Sequence, residues 1–313
     1  MYLNKKFKVF CISLLLLLHL EILNALENKI LFKVDNEIVT TLDIYEEIKF
    51  LKAFNPEIDS LDEKELFEIS KNNILKNLIK KIELSNFVEE LKVDDKFLLK
   101  LIKEKYSKKE IDSIENFDIF LRNKNLNIKM VKEKFTIELI WNDLIFQKFS
   151  KKIVIDKDKI KEEISQNYKN ELQRELLLSE IIFDVSDKDD FNRKYEKILK
   201  DIENLGFKKT ALIHSNSETS ANGGLIGWVK EDNLNQTLKT VLIKLKPGQF
   251  SKPIRTSSGF IIVKVDDEKE YKSKVNLSDR INEVIRFKTN DQLNQYSTMY
   301  LNKLKKNLII YGL

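Results

Sequence analysis

The chain has 313 residues, of which 42% are hydrophobic and 34% are charged, and its formal net charge is +5. This length and hydrophobic content suffice for two modest cores and exclude a wholly disordered protein. Only 7 glycines and 3 prolines occur, which favours long helices over tightly turned sheet. The small positive excess, mixed along the chain, does not indicate nucleic-acid binding.

Residues 1–25 have the layout of a signal peptide. Lysines precede an apolar run from Val9 to Leu18, and a polar stretch leads to Ala25, after which we expect cleavage. The segment carries three lysines and one glutamate, so its removal leaves a charge of +3 (5 − 3 + 1). An uncleaved anchor extending to Leu23 is the alternative. Cys11 is the single cysteine, so the cleaved chain has no thiol for disulfides or catalysis.

The first predicted element is a strand, because Lys29–Val34 alternates apolar and polar residues. Turn-forming residues 35–37 follow, and the chain can then return as a second strand. Thr40 and Asp43 are spaced as a capping box with Asp in place of Glu. This spacing predicts a helix that begins beside Thr40.

Further helices are predicted over about 61–91, 94–107, 115–124 and 128–149, where apolar residues recur at mostly helical intervals. Burial in a hydrophobic core is a sufficient reason for any single apolar residue in these helices, so none of them alone indicates a function. Asp156 is placed to cap another helix. The composition then turns polar between Gln166 and Arg174, and we place a hinge there.

Residues 174–267 predict the order strand, helix, short helix, strand, helix, strand, strand. Three motifs stand in this region: Asn222–Trp228 with a glycine pair, Leu245–Ile254 with a Pro-Gly turn, and Ser258–Val265. Helical spacing resumes from Leu277 to Leu304, and residues 308–311 could add a strand.

In combination and at this spacing, the three motifs resemble a parvulin-type peptidyl-prolyl isomerase domain. The block Val34–Ile44 resembles the opening of the SurA, PpiD and PrsA group of extracytoplasmic folding factors. The resemblance implies an α+β fold, in which a C-terminal helix completes a mostly helical SurA-like chaperone module and one parvulin-like domain carries a small antiparallel sheet. The implied divisions are a signal peptide at 1–25, a chaperone domain at 26–170, a parvulin-like domain at 171–268 and a C-terminal helix at 269–313.

Parvulins resemble one another in a polar floor of two histidines and an Asp or Cys. Glu180, Ser217 and Ile261 occupy these positions here, so all three depart from the family pattern. His214, the only histidine left after signal removal, stands where the family usually has an aromatic residue, and we expect it to be structural or on the surface. We expect Glu180 to be a solvated carboxylate at a strand edge, although it could replace a histidine functionally.

The apolar pocket that grips the proline ring in parvulins is better preserved. Ile226, Leu234, Leu238 and Phe260 are the predicted peptide-binding residues. An apolar pocket without a polar floor binds the ground and transition states about equally, so it accelerates nothing. The sequence therefore predicts peptide binding with weak or lost isomerase activity.

No phosphate-binding loop, metal-ligand spacing or serine-nucleophile motif is visible, so no cofactor, metal or nucleotide is expected. The leading hypothesis is an ATP-independent periplasmic chaperone that binds unfolded exported polypeptides, especially outer-membrane protein precursors. An active parvulin-type isomerase acting on exported proteins is one alternative. The other is a PpiD-like scaffold anchored in the inner membrane, which would contact the membrane only if the signal segment stays uncleaved.

Overall fold

The computed structural model of the protein describes residues 28–106, 111, 113–167, 172–272 and 276–312. The predicted signal peptide lies outside these residues, as does part of the predicted hinge. The described residues form an α+β fold. The ten α-helices found in them are α1 Thr41–Phe54, α2 Glu63–Leu84, α3 Asp95–Tyr106, α4 Ile114–Asn123, α5 Ile128–Phe149, α6 Lys157–Asn167, α7 Lys188–Leu205, α8 Phe207–His214, α9 Gln236–Leu242 and α10 Leu277–Asn307.

A three-stranded antiparallel sheet joins the two ends of the described chain. Its strands are β1 Ile30–Val34, β2 Glu37–Thr40 and β7 Ile310–Tyr311, in the order β2-β1-β7. The predicted capping box is present, because the Thr40 side chain accepts from the Asp43 amide and the Asp43 side chain accepts from the Thr40 amide. The pair satisfies amides that would lack partners at the start of α1.

The helical part of the molecule comprises residues 28–167 and 276–312. Its largest core surrounds Trp141 of α5, which is fully buried and donates its indole N–H to Ser297 Oγ at 2.7 Å. Tyr300 stacks on Trp141 with ring centroids 5.8 Å apart, and Phe149 stacks on Tyr296 at 4.9 Å. Burial of these large rings attaches α10 to α5, so the C-terminal helix completes the helical core as expected.

The sheet part of the molecule comprises residues 172–272. Its antiparallel strands are β3 Leu172–Phe183, β4 Leu225–Lys230, β5 Ile254–Thr256 and β6 Gly259–Lys272, in the order β4-β3-β6-β5. One face of the sheet packs on α9 and the other on α7 and α8. The central strands β3 and β6 pair from Leu172–Lys272 to Phe183–Phe260.

These central strands are longer than the apolar pattern predicts. The apolar sequence of β3 begins at Leu176 and that of β6 ends at Val265, but pairing continues into charged sequence. Arg174 pairs with Glu268 across the strands, and Lys269 Nζ lies 3.0 Å from Glu175 Oε2. Opposite charges on facing residues stabilise strand pairs without an apolar stripe, so the hydrophobic pattern alone could not reveal this extension.

Within the part of the chain that the structure describes, no helix is both long enough and apolar enough to cross a lipid bilayer.

Candidate functional site

The first residue of the candidate site is Glu180, on strand β3, which pairs with β4 on one side and β6 on the other. Thr219 donates its hydroxyl to Glu180 Oε1 at 2.9 Å, and the Ser217 and Thr219 hydroxyls lie 2.7 Å apart. The Ser215 hydroxyl lies 2.9 Å from the Ser217 hydroxyl and accepts a hydrogen bond from the Ile182 amide. Three hydroxyl groups from the segment after α8 therefore form a hydrogen-bonded series that ends at the Glu180 carboxyl group.

The environment of Glu180 corrects the expectation of a solvated carboxylate at a strand edge. The Glu180 side chain is half-buried on the interior strand β3, and the segment after α8 lies against its carboxyl group. Burial raises the pKa of Glu180 to about 7, and the nearby Asp291 adds to the rise, while the hydrogen bond from Thr219 opposes it. Near neutral pH the group can therefore donate a hydrogen bond as well as accept one.

The other predicted positions divide between the two faces of the sheet. Leu234, Leu238 and Ile261 pack together on the α9 face, and we call them the pocket cluster. Ile226 lies on the outer strand β4 and is 37% exposed. Phe260 lies on the opposite face, against Phe183 and Phe191, so the structure does not bring it to the site.

The first half of α10 covers the pocket cluster. Phe287 packs into the same apolar group, and Lys288 Nζ lies 3.5 Å from the Leu234 carbonyl oxygen. Farther along the helix, Gln295 accepts a hydrogen bond from Ser257 at 2.7 Å. No sequence pattern singles out Phe287, because helical spacing predicts that a residue is buried but not which distant surface buries it.

Residues 215–220, which carry the three hydroxyls, also bond to lysines of α2 in the helical part. Lys80 of α2 bonds to Glu218 at 2.8 Å and to Glu138 at 2.9 Å. Lys76 donates to the Ser215 carbonyl oxygen at 2.9 Å and to Ser220 Oγ at 2.7 Å. Together these contacts place the hydroxyl chain beside a buried charge cluster, and we call them the lysine lock.

Electrostatics within the lysine lock follow from burial and pairing. Burial lowers the pKa of Lys76 to about 8. Burial would also lower the pKa of Lys80, but the charges of Glu138 and Glu218 outweigh it and raise the pKa. The pKa of Glu218 is correspondingly lowered, since Lys80 overcomes the effect of burial. The Lys80–Glu218 pair is therefore fully charged at neutral pH.

His214 has a structural environment away from the floor. Its ring nitrogen Nε2 lies 2.6 Å from Asp201 Oδ2 of α7. Burial lowers the pKa of His214, against the effect of the Asp201 carboxylate. This agrees with the structural role expected for His214, and no imidazole stands at the three floor positions.

The site therefore combines a packed apolar cluster with one carboxyl group and its hydroxyl partners. Among the described residues, no group of three or more His, Cys, Asp or Glu side chains is placed to hold a metal ion. Thr219, which no pattern had singled out, is the residue that donates a hydrogen bond to the Glu180 carboxyl group. The serine-rich segment 215–220 is the sequence signal that could have revealed it.

The chain was compared with family models, curated proteins and solved structures. Residues 176–267 match the model of the rotamase family, the PPIC-type PPIase domain. A foldase protein PrsA from Geobacillus is 30% identical over 183 residues, covering 58% of this chain and 62% of that protein. A chaperone SurA from Hahella chejuensis is 39% identical over 83 residues, covering 26% of this chain and 19% of that protein.

Two further similarities are longer but weaker. A foldase protein PrsA 3 from Bacillus cereus is 28% identical, covering 80% of this chain and 82% of that protein. A solved structure of a SurA-like chaperone from Campylobacter jejuni is 18% identical, with a TM-score of 0.35, covering 91% of this chain and 99% of that one. The chain spans less than two thirds of the Geobacillus and Hahella proteins. Residues 176–267 therefore form a domain of the PPIC-type rotamase family, and the chain is similar to SurA chaperones and PrsA foldases.

Proposed function

We propose that the protein is an ATP-independent chaperone of the exported compartment, and that its rotamase domain binds polypeptide without accelerating proline isomerisation. The observation that carries this proposal is the composition of the site. The pocket cluster, Ile261 included, is apolar, while Glu180, Ser217 and Ile261 stand at the sequence positions where the family has two histidines and an Asp or Cys. Names of relatives, a SurA chaperone and a PrsA foldase, support the chaperone class.

Rate acceleration requires contacts that are stronger in the twisted transition state than in the ground state. Isomerisation meets an amide barrier of roughly 18–20 kcal/mol. Leu234, Leu238 and Ile261 contact a proline ring similarly in both states, because they offer only burial. The site therefore favours binding over turnover.

Apolar side chains exposed on the helical part support a broader client-binding surface. Phe97 is 66% exposed, Phe146 54% and Leu42 48%. Large apolar side chains at the surface suit transient contacts with unfolded chains. Each contact is weak, since the client loses conformational entropy on ordering.

We propose unfolded exported polypeptides as the clients, and outer-membrane protein precursors in the periplasm as the principal class. Chaperone activity is tested by diluting an unfolded outer-membrane β-barrel into buffer with and without the purified protein, in the absence of ATP. Suppressed aggregation at equimolar protein is expected. Unchanged aggregation at molar excess would contradict the proposal.

The competing candidate is an active isomerase, and the raised pKa of Glu180 favours it. A protonated carboxyl could donate to the twisted amide where the family has a ring. A protease-coupled assay on a proline-containing peptide decides between the two candidates. We expect the uncatalysed rate, and a rate above it that Glu180→Gln abolishes would establish the isomerase.

We further propose that the chain divides at the boundaries predicted from the sequence, 26–170, 171–268 and 269–313, with the last segment packing on the first. Limited proteolysis should then release a resistant fragment that begins near residue 171 and ends near residue 268. Resistant fragments that run through both junctions would contradict these boundaries.

A further inference from the structure

We infer that α10 is a built-in occupant of the peptide pocket, so that polypeptide enters the pocket only when α10 is displaced from the sheet part. The inference rests on the proposed function, because it takes the pocket cluster as the place where polypeptide binds. It adds a competitor supplied by the chain itself.

The first argument is the position of Phe287. Its side chain packs against the apolar cluster that contains Leu234 and against which Leu238 also packs, and the next residue, Lys288, reaches the Leu234 carbonyl oxygen. Leu234 and Leu238 are two of the residues that would contact a client side chain. An apolar ring in an apolar pocket has the chemistry expected of the client. Client and Phe287 therefore cannot occupy the pocket cluster together.

The second argument is the set of polar contacts around Phe287. Lys230 Nζ bonds to Glu283 Oε2 at 2.7 Å on the N-terminal side, and Arg280 lies 3.5 Å from Asp232. On the C-terminal side, Gln295 accepts from Ser257. Polar contacts on α10 both before and after Phe287 therefore fix this part of the helix against the sheet part.

The third argument is that α10 also belongs to the helical part. Ser297 bonds to Trp141, and Leu301 is buried in the helical core. One continuous helix therefore joins the two parts, and lifting Phe287 out of the pocket moves the sheet part relative to the helical part. Such a movement also strains the lysine lock at Lys76 and Lys80.

The closed arrangement lowers the apparent affinity for a client, because only the fraction of molecules with an open pocket can bind. Truncating Phe287 should increase that fraction. A shift of tenfold in the open fraction appears as a tenfold tighter apparent dissociation constant.

The experiment compares three variants of the full chain with the unaltered protein. A fluorescein-labelled, unstructured apolar peptide containing one proline is titrated, and its anisotropy is followed. Phe287→Ala should bind about tenfold more tightly than the unaltered protein. Leu293→Ala, which truncates an apolar side chain of the same helix in the helical core, should bind as the unaltered protein does.

The third variant combines Phe287→Ala with Ile226→Ala. Ile226 is a predicted peptide-binding residue that is 37% exposed on β4, so its truncation should not unfold the protein, and thermal unfolding by circular dichroism checks this. Loss of the gained affinity in the double variant locates the peptide in the pocket. Tightening by Leu293→Ala equal to that by Phe287→Ala would overturn the inference, since general loosening would then explain both.

Equal affinities of the Phe287→Ala variant and the unaltered protein would likewise overturn the inference, but they would leave the proposed function intact. Chaperone activity is measured separately, by aggregation of the β-barrel client. If the protein fails to suppress aggregation while Phe287→Ala still binds the peptide about tenfold more tightly, the chaperone proposal is contradicted and the inference about α10 is not.

Discussion

Glu180 is the residue at which burial most directly affects chemistry. Its carboxyl group has a pKa of about 7, compared with an ordinary value of 4.5. The folded protein therefore holds this proton more tightly than the unfolded chain does. By linkage, the stability that this group contributes is complete below pH 4.5 and is lost as the pH rises towards 7.

The first prediction concerns Glu180→Gln, which replaces the titrating carboxyl by a neutral group of similar shape. The melting temperature of the unaltered protein should fall further between pH 5 and pH 8 than that of the variant. The reason is that only the carboxyl must be ionised in a desolvated position at high pH. Differential scanning calorimetry at both pH values measures the difference.

Glu196→Gln is the matched control, because Glu196 lies on α7 with an exposed side chain. Its melting temperature should follow that of the unaltered protein at both pH values. Parallel pH profiles for Glu180→Gln and the unaltered protein would show that Glu180 is ionised throughout this range.

At the scale of elements, β4 begins where the backbone approaches Glu180 most closely. Gly224 has a φ of 78°, and a Cβ there would lie 2.2 Å from the Glu180 carbonyl oxygen. The Glu180 amide also donates to the Gly224 carbonyl oxygen at 2.8 Å. The glycine pair of the motif therefore lets β4 pass close enough to set the position of Glu180.

The second prediction follows from this approach. Gly224→Ala should destabilise the protein by about 2 kcal/mol more than Gly227→Ala, because overpacking adds to the backbone strain at Gly224. Gly227 also has a positive φ, of 100°, but a Cβ there meets nothing within 4 Å. Urea unfolding gives both values, and equal destabilisation would mean that strain alone governs both positions.

Local patterns predicted most elements well, since the capping box of Thr40 and Asp43 and the helical stripes reflect short-range chemistry. The placement of Phe260 beside Ile261 in one site went wrong for a reason visible in the sequence. Neighbouring residues of a strand point to opposite faces, so these two could not share a pocket.

The cover over the pocket could not be predicted in the same way. Phe287 reaches the pocket cluster from a helix that lies far along the chain, and no local period encodes which surface that helix meets. Burial of Glu180 was missed for the same reason, because Thr219, which contacts its carboxyl group, lies 39 residues farther along the chain.

At the scale of the whole molecule, the lysine lock joins the helical and sheet parts through charge. The Lys80 side chain is only 3% exposed, whereas Glu138 and Glu218 are 35% and 26% exposed. Removal of the cation leaves both carboxylates without their main partner in a poorly solvated position. Breaking a buried pair in this way costs more than breaking a surface pair.

The third prediction compares adjacent lysines of α2. Lys80→Met should lower the free energy of unfolding by about 2 kcal/mol, below the range for a fully buried pair because the carboxylates keep some solvent contact. Lys81→Met breaks the more exposed pair with Glu133 and should cost less than about 1 kcal/mol. Urea unfolding followed by tryptophan fluorescence reports on both parts through Trp141 and Trp228. Similar costs for both variants would contradict the role assigned to the lock.

The pairing of β7 with β1 affects the order in which the protein can mature. The helices α2 and α5 keep apolar faces uncovered until α10 and β7 arrive, because Tyr300 and Leu301 close that core. Strands β3 to β6 are all supplied earlier, so a chain delivered with its N-terminus first would finish its sheet before its helices. During that interval the incomplete chain would itself expose the apolar faces of α2 and α5, and it would resemble the unfolded polypeptides proposed above as clients of the folded protein.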